Sequence, residues 1–185
     1  MTYAFAFLLI FSCSCTMAQS PLVRESKHQT RNFKDKNGFR QGYWKFAISD
    51  HMGHGSNTVE GFYYNDKEIG VWTKKDRDGK VYQERIYYDT TRSKVQVNDY
   101  YLNGNLKSMG FLFPAPYRDT VMQYDEKLGR DRRVIIDSML MKSGRWYFYH
   151  SNGILESEGL YEKNAKKDIW KFYNQHGELT RTEDL

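Results

Sequence analysis

From about residue 32 onward, apolar and polar positions alternate in short runs, and turn-forming residues interrupt them roughly every ten residues. In Trp44-Lys45-Phe46, Trp146-Tyr147-Phe148 and Trp170-Lys171-Phe172 two rings stand two residues apart and so share one face of a strand. The pairs Asp78-Gly79, Asn103-Gly104 and Asn152-Gly153, and the weaker His176-Gly177, follow these runs. Such pairs supply the positive φ of a two-residue hairpin turn, the strongest short-range hairpin signal. A new strand is expected after each turn, at Val81, Leu106, Leu155 and Leu179. A second kind of turn, at Asn37-Gly38 and Asn65-Asp66-Lys67, returns the chain to the next Gly-x-Trp. Helices do not fit interruptions this frequent. The predicted class is all-β: tandem antiparallel hairpins forming one meander over residues 32–185.

The hairpins repeat. Aligned on Trp170, equivalent places fall at Trp44, Trp72, Val97, Val121, Trp146 and Trp170, which predicts about six units. The spacing is nearly constant, and the one longer step contains the stretch His51–Asn57. A single hairpin cannot bury its own apolar face. Trp44, Trp72, Trp146 and Trp170 are therefore expected to form a core shared between neighbours. Because Val97 and Val121 are accepted at the same place, volume matters there more than a ring. The glycine two residues before each Trp (Gly42, Gly70, Gly144) is expected to make room where neighbouring hairpins approach. Gly79, Gly104, Gly153 and Gly177 are the turn glycines. Three places beyond the Trp position stand Tyr100, Tyr124, Tyr149 and Tyr173, on the opposite face. Tyrosine tolerates half-wet positions, so this row is the candidate partner-binding face.

The run Tyr63-x-Asn65-Asp66-Lys67-x-x-Gly70-x-Trp72 resembles the Tyr-x-Asn-Gly-Lys-x-x-Gly-x-Trp signature of the MORN-repeat variant family. Asn37–Trp44 and Tyr161–Trp170 carry parts of the same pattern, while Asp168 for Gly, and Val97 and Val121 for Trp, depart from it. The resemblance covers most of residues 32–185 and is degenerate around 86–142. It implies a sheet of repeated hairpins serving as a binding or scaffold surface, with no catalytic residues to carry over. Many bacterial members are labelled YwqK-type antitoxins, which implies a toxin protein as an alternative partner.

No charge occurs before Arg24, and Ala4–Phe11 is an unbroken apolar run. This is about half the roughly 20 residues of a membrane-spanning helix, so residues 1–18 read as a signal peptide. Two processing readings stay open. Thr16-Met17-Ala18 fits a small-x-small cleavage site before Gln19, and Ile10-Phe11-Ser12-Cys13 resembles a lipobox that would leave a lipidated, membrane-associated Cys13. Both cysteines, Cys13 and Cys15, lie in this segment, so cleavage after Ala18 removes thiol and disulfide chemistry together. Residues 19–31 form a polar lead-in. The expected location is exported: periplasmic, associated with the outer membrane, or secreted.

Composition adds limits. Aromatics make up 16% of the chain, enough to build a core, and mean hydropathy is −0.80. The 28 Lys and Arg against 23 Asp and Glu are spread over several repeats, at Lys74-Lys75, Arg130, Arg132-Arg133, Lys142 and Lys166-Lys167. Nucleic-acid binding usually needs a concentrated patch, so nucleic acid is not expected as a partner. His51 and His54 are a close pair whose nearest third-ligand candidates in sequence are Asp50 and Glu60, and a solvated loop is the better reading; His150 and His176 fall at turns, where exposure is usual. Glu156 and Glu158 share a strand face and are the only carboxylates weighed for glycosidase chemistry. No residue is assigned a catalytic, cofactor or metal role. The expected function is a non-enzymatic binding or scaffold module of the bacterial cell envelope, presenting its hairpin surface to a protein or envelope component. An antitoxin-like role and a carbohydrate-acting hydrolase are the alternatives.

Overall fold

The computed structural model describes residues 31–49, 56–125 and 129–185. The signal-peptide and lipobox readings, the lead-in apart from Arg31, and the pair His51/His54 lie outside the described residues. Eleven strands among them form one antiparallel sheet in chain order. They are β1 (Phe33–Lys34), β2 (Arg40–Ser49), β3 (Ser56–Tyr64), β4 (Lys67–Lys75), β5 (Val81–Tyr87), β6 (Val95–Tyr100), β7 (Leu106–Asp125), β8 (Arg130–Tyr149), β9 (Leu155–Glu162), β10 (Ala165–Tyr173) and β11 (Leu179–Asp184). Every strand pairs with its neighbours in sequence, as tandem hairpins require. Among the described residues no helix is long and apolar enough to cross a membrane.

The two kinds of turn divide differently from the expectation. At Gly79, Gly104, Gly153 and Gly177 the loop has three residues, not two. Gly79 N–H donates to the Asp76 carbonyl at 3.0 Å and Asp76 N–H to the Lys80 carbonyl at 2.9 Å; the same bonds recur at 101–105, 150–154 and 174–178. This is a turn of type I closed by a left-handed glycine, with φ between +80° and +88° at the four positions. Asp78, Asn103, Asn152 and His176 keep negative φ. The two-residue turns with two left-handed residues are instead Asn65-Asp66 (φ 49° and 63°) and Lys163-Asn164 (φ 49° and 71°), while Asn37-Gly38, expected among them, is a three-residue turn of the first kind, with Gly38 at φ 85°.

The four tryptophans are buried, Trp146 and Trp170 to 1% exposure. They lie against their own sheet. The ring of Trp72 covers Gly61 in β3, that of Trp146 covers Gly110 in β7, and that of Trp170 covers Gly159 in β9; a Cβ at any of these glycines would fall under 3.0 Å from the indole. The carbonyl after each glycine accepts the indole N–H: Phe62 from Trp72 at 3.0 Å, Phe111 from Trp146 at 3.2 Å, Leu160 from Trp170 at 3.1 Å. A β-bulge marks the strand pairing at each site, between Glu60 and Phe62, Met109 and Phe111, and Lys167 and Lys171.

The close approach is therefore made at Gly61, Gly110 and Gly159, not at the glycine preceding Trp. Gly70 and Gly144 serve the bulge through positive φ (64° and 79°), Gly42 shares the left-handed backbone at φ 68°, and a Cβ on Gly144 would meet nothing within 4 Å. Asp168 adopts φ 56° at the equivalent place, which explains how it replaces glycine.

Rings of adjacent units then interlock into two aromatic stacks. Tyr63 stands edge-on between Trp44 and Trp72, with centroids 5.9 and 4.7 Å away, and Tyr161 does the same between Trp146 and Trp170 at 6.0 and 5.1 Å. Val97 holds the Trp place of β6 and is buried. Val121 does not take that place in the sheet. β7 and β8 are 20 residues each, and Val121 pairs with Val134 in their outer half. About one repeat length, divided between the two strands, has been drawn out into a long hairpin, which is why the sequence phase from Val97 to Trp146 is kept while five strands, not six, carry the Trp place.

Candidate functional site

On the face opposite the tryptophans one pairing recurs. The residue just before each Trp-covered or equivalent position is Glu60 in β3, Glu84 in β5 and Glu158 in β9. Each is met by the side chain three places after the Trp position on the following strand. Lys75 binds Glu60, Tyr100 donates its O–H to Glu84 at 2.6 Å, and Tyr173 donates to Glu158 at 3.0 Å. In the β7–β8 unit Met109 stands where the glutamate would be, and Tyr149 is half-buried without that partner. The predicted row is thus present at Tyr100, Tyr149 and Tyr173 on β6, β8 and β10, alternate strands of the sheet and so about 10 Å apart. Tyr124 lies in the outer half of β7, away from that row, and its side chain is outside the described residues.

The phenols are held firmly. Burial, and then the Glu84 carboxylate, push the Tyr100 hydroxyl up to about 12. Tyr173 is raised in the same direction by burial and Glu158, and Tyr149 by burial. Burial alone would lift the Glu60 carboxyl, but hydrogen bonds from Lys75 and Tyr43 outweigh it and hold the group below its ordinary range. Glu158 also receives Arg145 at 3.3 Å, and Lys45 sits 3.6 Å from Glu60. The face is therefore a lattice of neutral phenols and paired carboxylates, polar without a strong single charge.

The lattice opens at Tyr100. An open depression of about 520 Å³ is lined by Lys80, Val81, Glu84, Tyr100 and the turn residues Tyr101–Gly104. Its floor is the Tyr100–Glu84 bond, and its rim carries Leu102, 72% exposed. The rim is braced from behind: Asn103 and Asn105 each donate to the Ser151 carbonyl at 2.8 Å, and Tyr101 donates to the Tyr149 carbonyl at 2.8 Å. The turns continue the brace sideways, through His150 to the Tyr173 carbonyl at 2.9 Å and Asn152 to the Gln175 carbonyl at 3.1 Å. His150 is thus half-buried and engaged, where an exposed turn histidine was expected, while His176 is exposed.

Glu156 and Glu158 do share a strand face, but their roles separate. Glu158 is occupied by Tyr173 and Arg145, and Glu156 is exposed. Sequence reasoning weighed Glu60 only as a neighbour of His51 and His54, and did not single out Glu84. The signal was available in the recurrence of Glu before the glycine in Glu60-Gly61 and Glu158-Gly159.

Compared with family models, curated proteins and solved structures, the chain matches none. The likeness of Tyr63–Trp72 to the MORN-variant signature therefore rests on those residues.

Proposed function

We propose that this protein is a non-enzymatic binding or scaffold module, and that the Tyr–Glu face is the surface it presents. What carries the reading is that one pairing recurs at one place in three of the hairpins, at Lys75–Glu60, Tyr100–Glu84 and Tyr173–Glu158, with an open depression at the middle of the three. Catalysis needs unlike groups converging on one centre. This face instead offers similar groups at regular intervals, which suits extended contact with a partner engaging several repeats. Half-wet tyrosines, fixed by hydrogen bonds, give contact area at low entropic cost.

The partner class is a protein or an envelope component. The uncharged apolar segment Ala4–Phe11 supports an exported protein of the bacterial cell envelope, and the MORN-like signature supports a scaffold role. Affinity capture from envelope extract, followed by mass spectrometry, tests this directly. A partner retained by the parent protein, partly lost with Tyr100→Ala or Tyr173→Ala and largely lost with both, supports the reading. Turnover of envelope glycans, esters or peptides that vanishes in folded Glu158→Gln or Glu156→Gln overturns it.

A further inference from the structure

The Trp face has one interruption. Where Gly61, Gly110 and Gly159 each lie under an indole, the equivalent residue of β5 is Arg85, and Val97 replaces the indole above it. The bulge is missing too, since Arg85 and Val97 pair in unbroken register. The gap between the two aromatic stacks is filled by polar side chains. Arg85 and Lys74 approach it from β5 and β4, Gln83 and Asp99 from β5 and β6, Ser108 from β7, and Lys142 from β8, its ammonium 4.4 Å above the Trp146 ring.

The charges of this cluster do not balance. Three cations lie around Asp99, and that carboxylate is held by neutral donors: Gln83 at 2.8 Å and Ser108 at 2.8 Å. The next carboxylate, Glu68, meets Arg85 only through the Tyr87 hydroxyl they share and is itself paired with Arg92 at 2.9 Å. Burial and the neighbouring Arg85 charge lower the Lys74 ammonium from its ordinary value, and Asp99 only partly offsets them. Burial likewise lowers Lys142. Arg85 places its Nε–H out of solvent with no acceptor among the described residues, and the amide oxygen of Gln83 is similarly buried without a donor. Two half-buried cations that repel each other are costly unless an anion joins them.

We propose that Arg85 and Lys74 form a binding site for a small oxyanion, the phosphate, sulfate or carboxylate group of a small acid. The guanidinium supplies the planar fork that matches such groups, Lys74 adds a point charge, and Lys142 adds longer-range attraction. Asp99 opposes binding and sets a limit on affinity. The site is on the opposite face from the Tyr–Glu lattice, so it stands or falls separately from the binding-module reading.

The test titrates the full chain with inorganic phosphate, sulfate and acetate against chloride at matched ionic strength. The readouts are melting midpoint and the Arg85 Nε–H resonance, which is visible because the group is shielded from solvent. The expected result is a saturable shift of that resonance with at least one oxyanion, and a preference between the tetrahedral ions and planar acetate names the group. Lys74→Met should weaken affinity at least tenfold, Arg85→Leu should abolish it, and Asp99→Asn should strengthen it severalfold. Lys171→Met, an exposed lysine of the other face, should change nothing. If Arg85→Leu fails to fold, the parent resonance and Lys74→Met still decide the matter. No saturable shift with any of the three ions, or equal affinity in Lys74→Met, overturns the proposal.

Discussion

The indole of Trp170 rests on the backbone of Gly159, one strand back, and donates its N–H to the carbonyl of Leu160. A one-layer sheet has no second layer to cover its apolar face, so it uses its own backbone as the floor. Gly159→Ala places a methyl inside the ring and should cost about 1–3 kcal/mol or more, as overpacking does. Gly144→Asn is the contrasting change. Its position needs only a left-handed backbone, its surroundings are open, and Asp168 already occupies the equivalent place. It should cost no more than about 1–2 kcal/mol, a left-handed penalty that Asn partly escapes, and less than Gly159→Ala. Urea melts of the two variants decide this; a larger loss from Gly144→Asn would assign the close approach to the wrong glycine.

These two glycine classes show what the sequence made legible. The Trp and turn positions were readable because both follow hairpin geometry, and hairpins are local. Gly61 and Gly159 also recur, each eleven residues before the Trp that covers it. By the same count Gly110 points to Val121, yet it lies under Trp146, because β7 and β8 run on past their other neighbours as a long paired hairpin before the chain returns. The Tyr row was readable from parity along each strand. Its glutamate partners, and the cluster of Lys74, Arg85 and Asp99, depend on which residues of different strands face one another. Register across a bulge fixes that, and strand periodicity alone does not.

The Trp face and the Tyr face should differ in energetic weight. Trp146 is 1% exposed, whereas Tyr149 is half-buried. Trp146→Ala removes a core ring and should cost about 3–5 kcal/mol. Tyr149→Ala should cost clearly less. Equal shifts in denaturant midpoint, at unchanged slope, would contradict the assignment of faces.

Acid stability should depend on Asp66. Its carboxylate accepts from Arg40 Nε at 2.7 Å and Arg40 N–H at 2.9 Å, and Arg40 holds it below the ordinary carboxylate range. With the folded pKa depressed, its contribution is present above about pH 4, the unfolded value, and is lost as pH falls through the folded one. The pair is 33% and 40% exposed, so solvent screening keeps the contribution under about 1 kcal/mol. Asp66→Asn keeps a residue that tolerates φ 63° and removes the charge. Stability measured from pH 6 to 3 should fall less steeply in this variant than in the parent.

The alkaline limb should belong in part to Tyr100, whose hydroxyl is pushed up to about 12 by burial and then by Glu84. A raised phenol favours the neutral folded form. Its contribution is complete below about pH 10, the unfolded value, and is lost as pH rises toward 12. Tyr100→Phe should flatten stability against pH in that window and remove one late-titrating phenol from the ultraviolet absorbance titration. An unchanged alkaline slope would mean that the Tyr100 phenol does not carry this part of the pH dependence.

The outer half of the β7–β8 hairpin should be dispensable for folding. β6 pairs with β7 only as far as Leu112, and β9 pairs with β8 only from Gly144 onward. Beyond those points each strand has the other as its sole neighbour, and Met122 and Ile135 are 63% and 54% exposed. Nearer the sheet the hairpin does contribute: Leu112 and Leu140 pack against the cluster of Trp72, Tyr87 and Val95, and Ala115 is buried. A cut should therefore fall outside Pro116 and Ser138, which face each other across the hairpin. Replacing residues 117–137 with Asn-Gly gives those strands a two-residue turn of the favoured type. The strand residues lost pair only with one another, and those whose burial is described are exposed apart from half-buried Val134, so stability should change by no more than about 1 kcal/mol, and the melting midpoint by no more than roughly 4 °C. A larger drop, or loss of a single cooperative transition, would show that the outer hairpin supports the sheet.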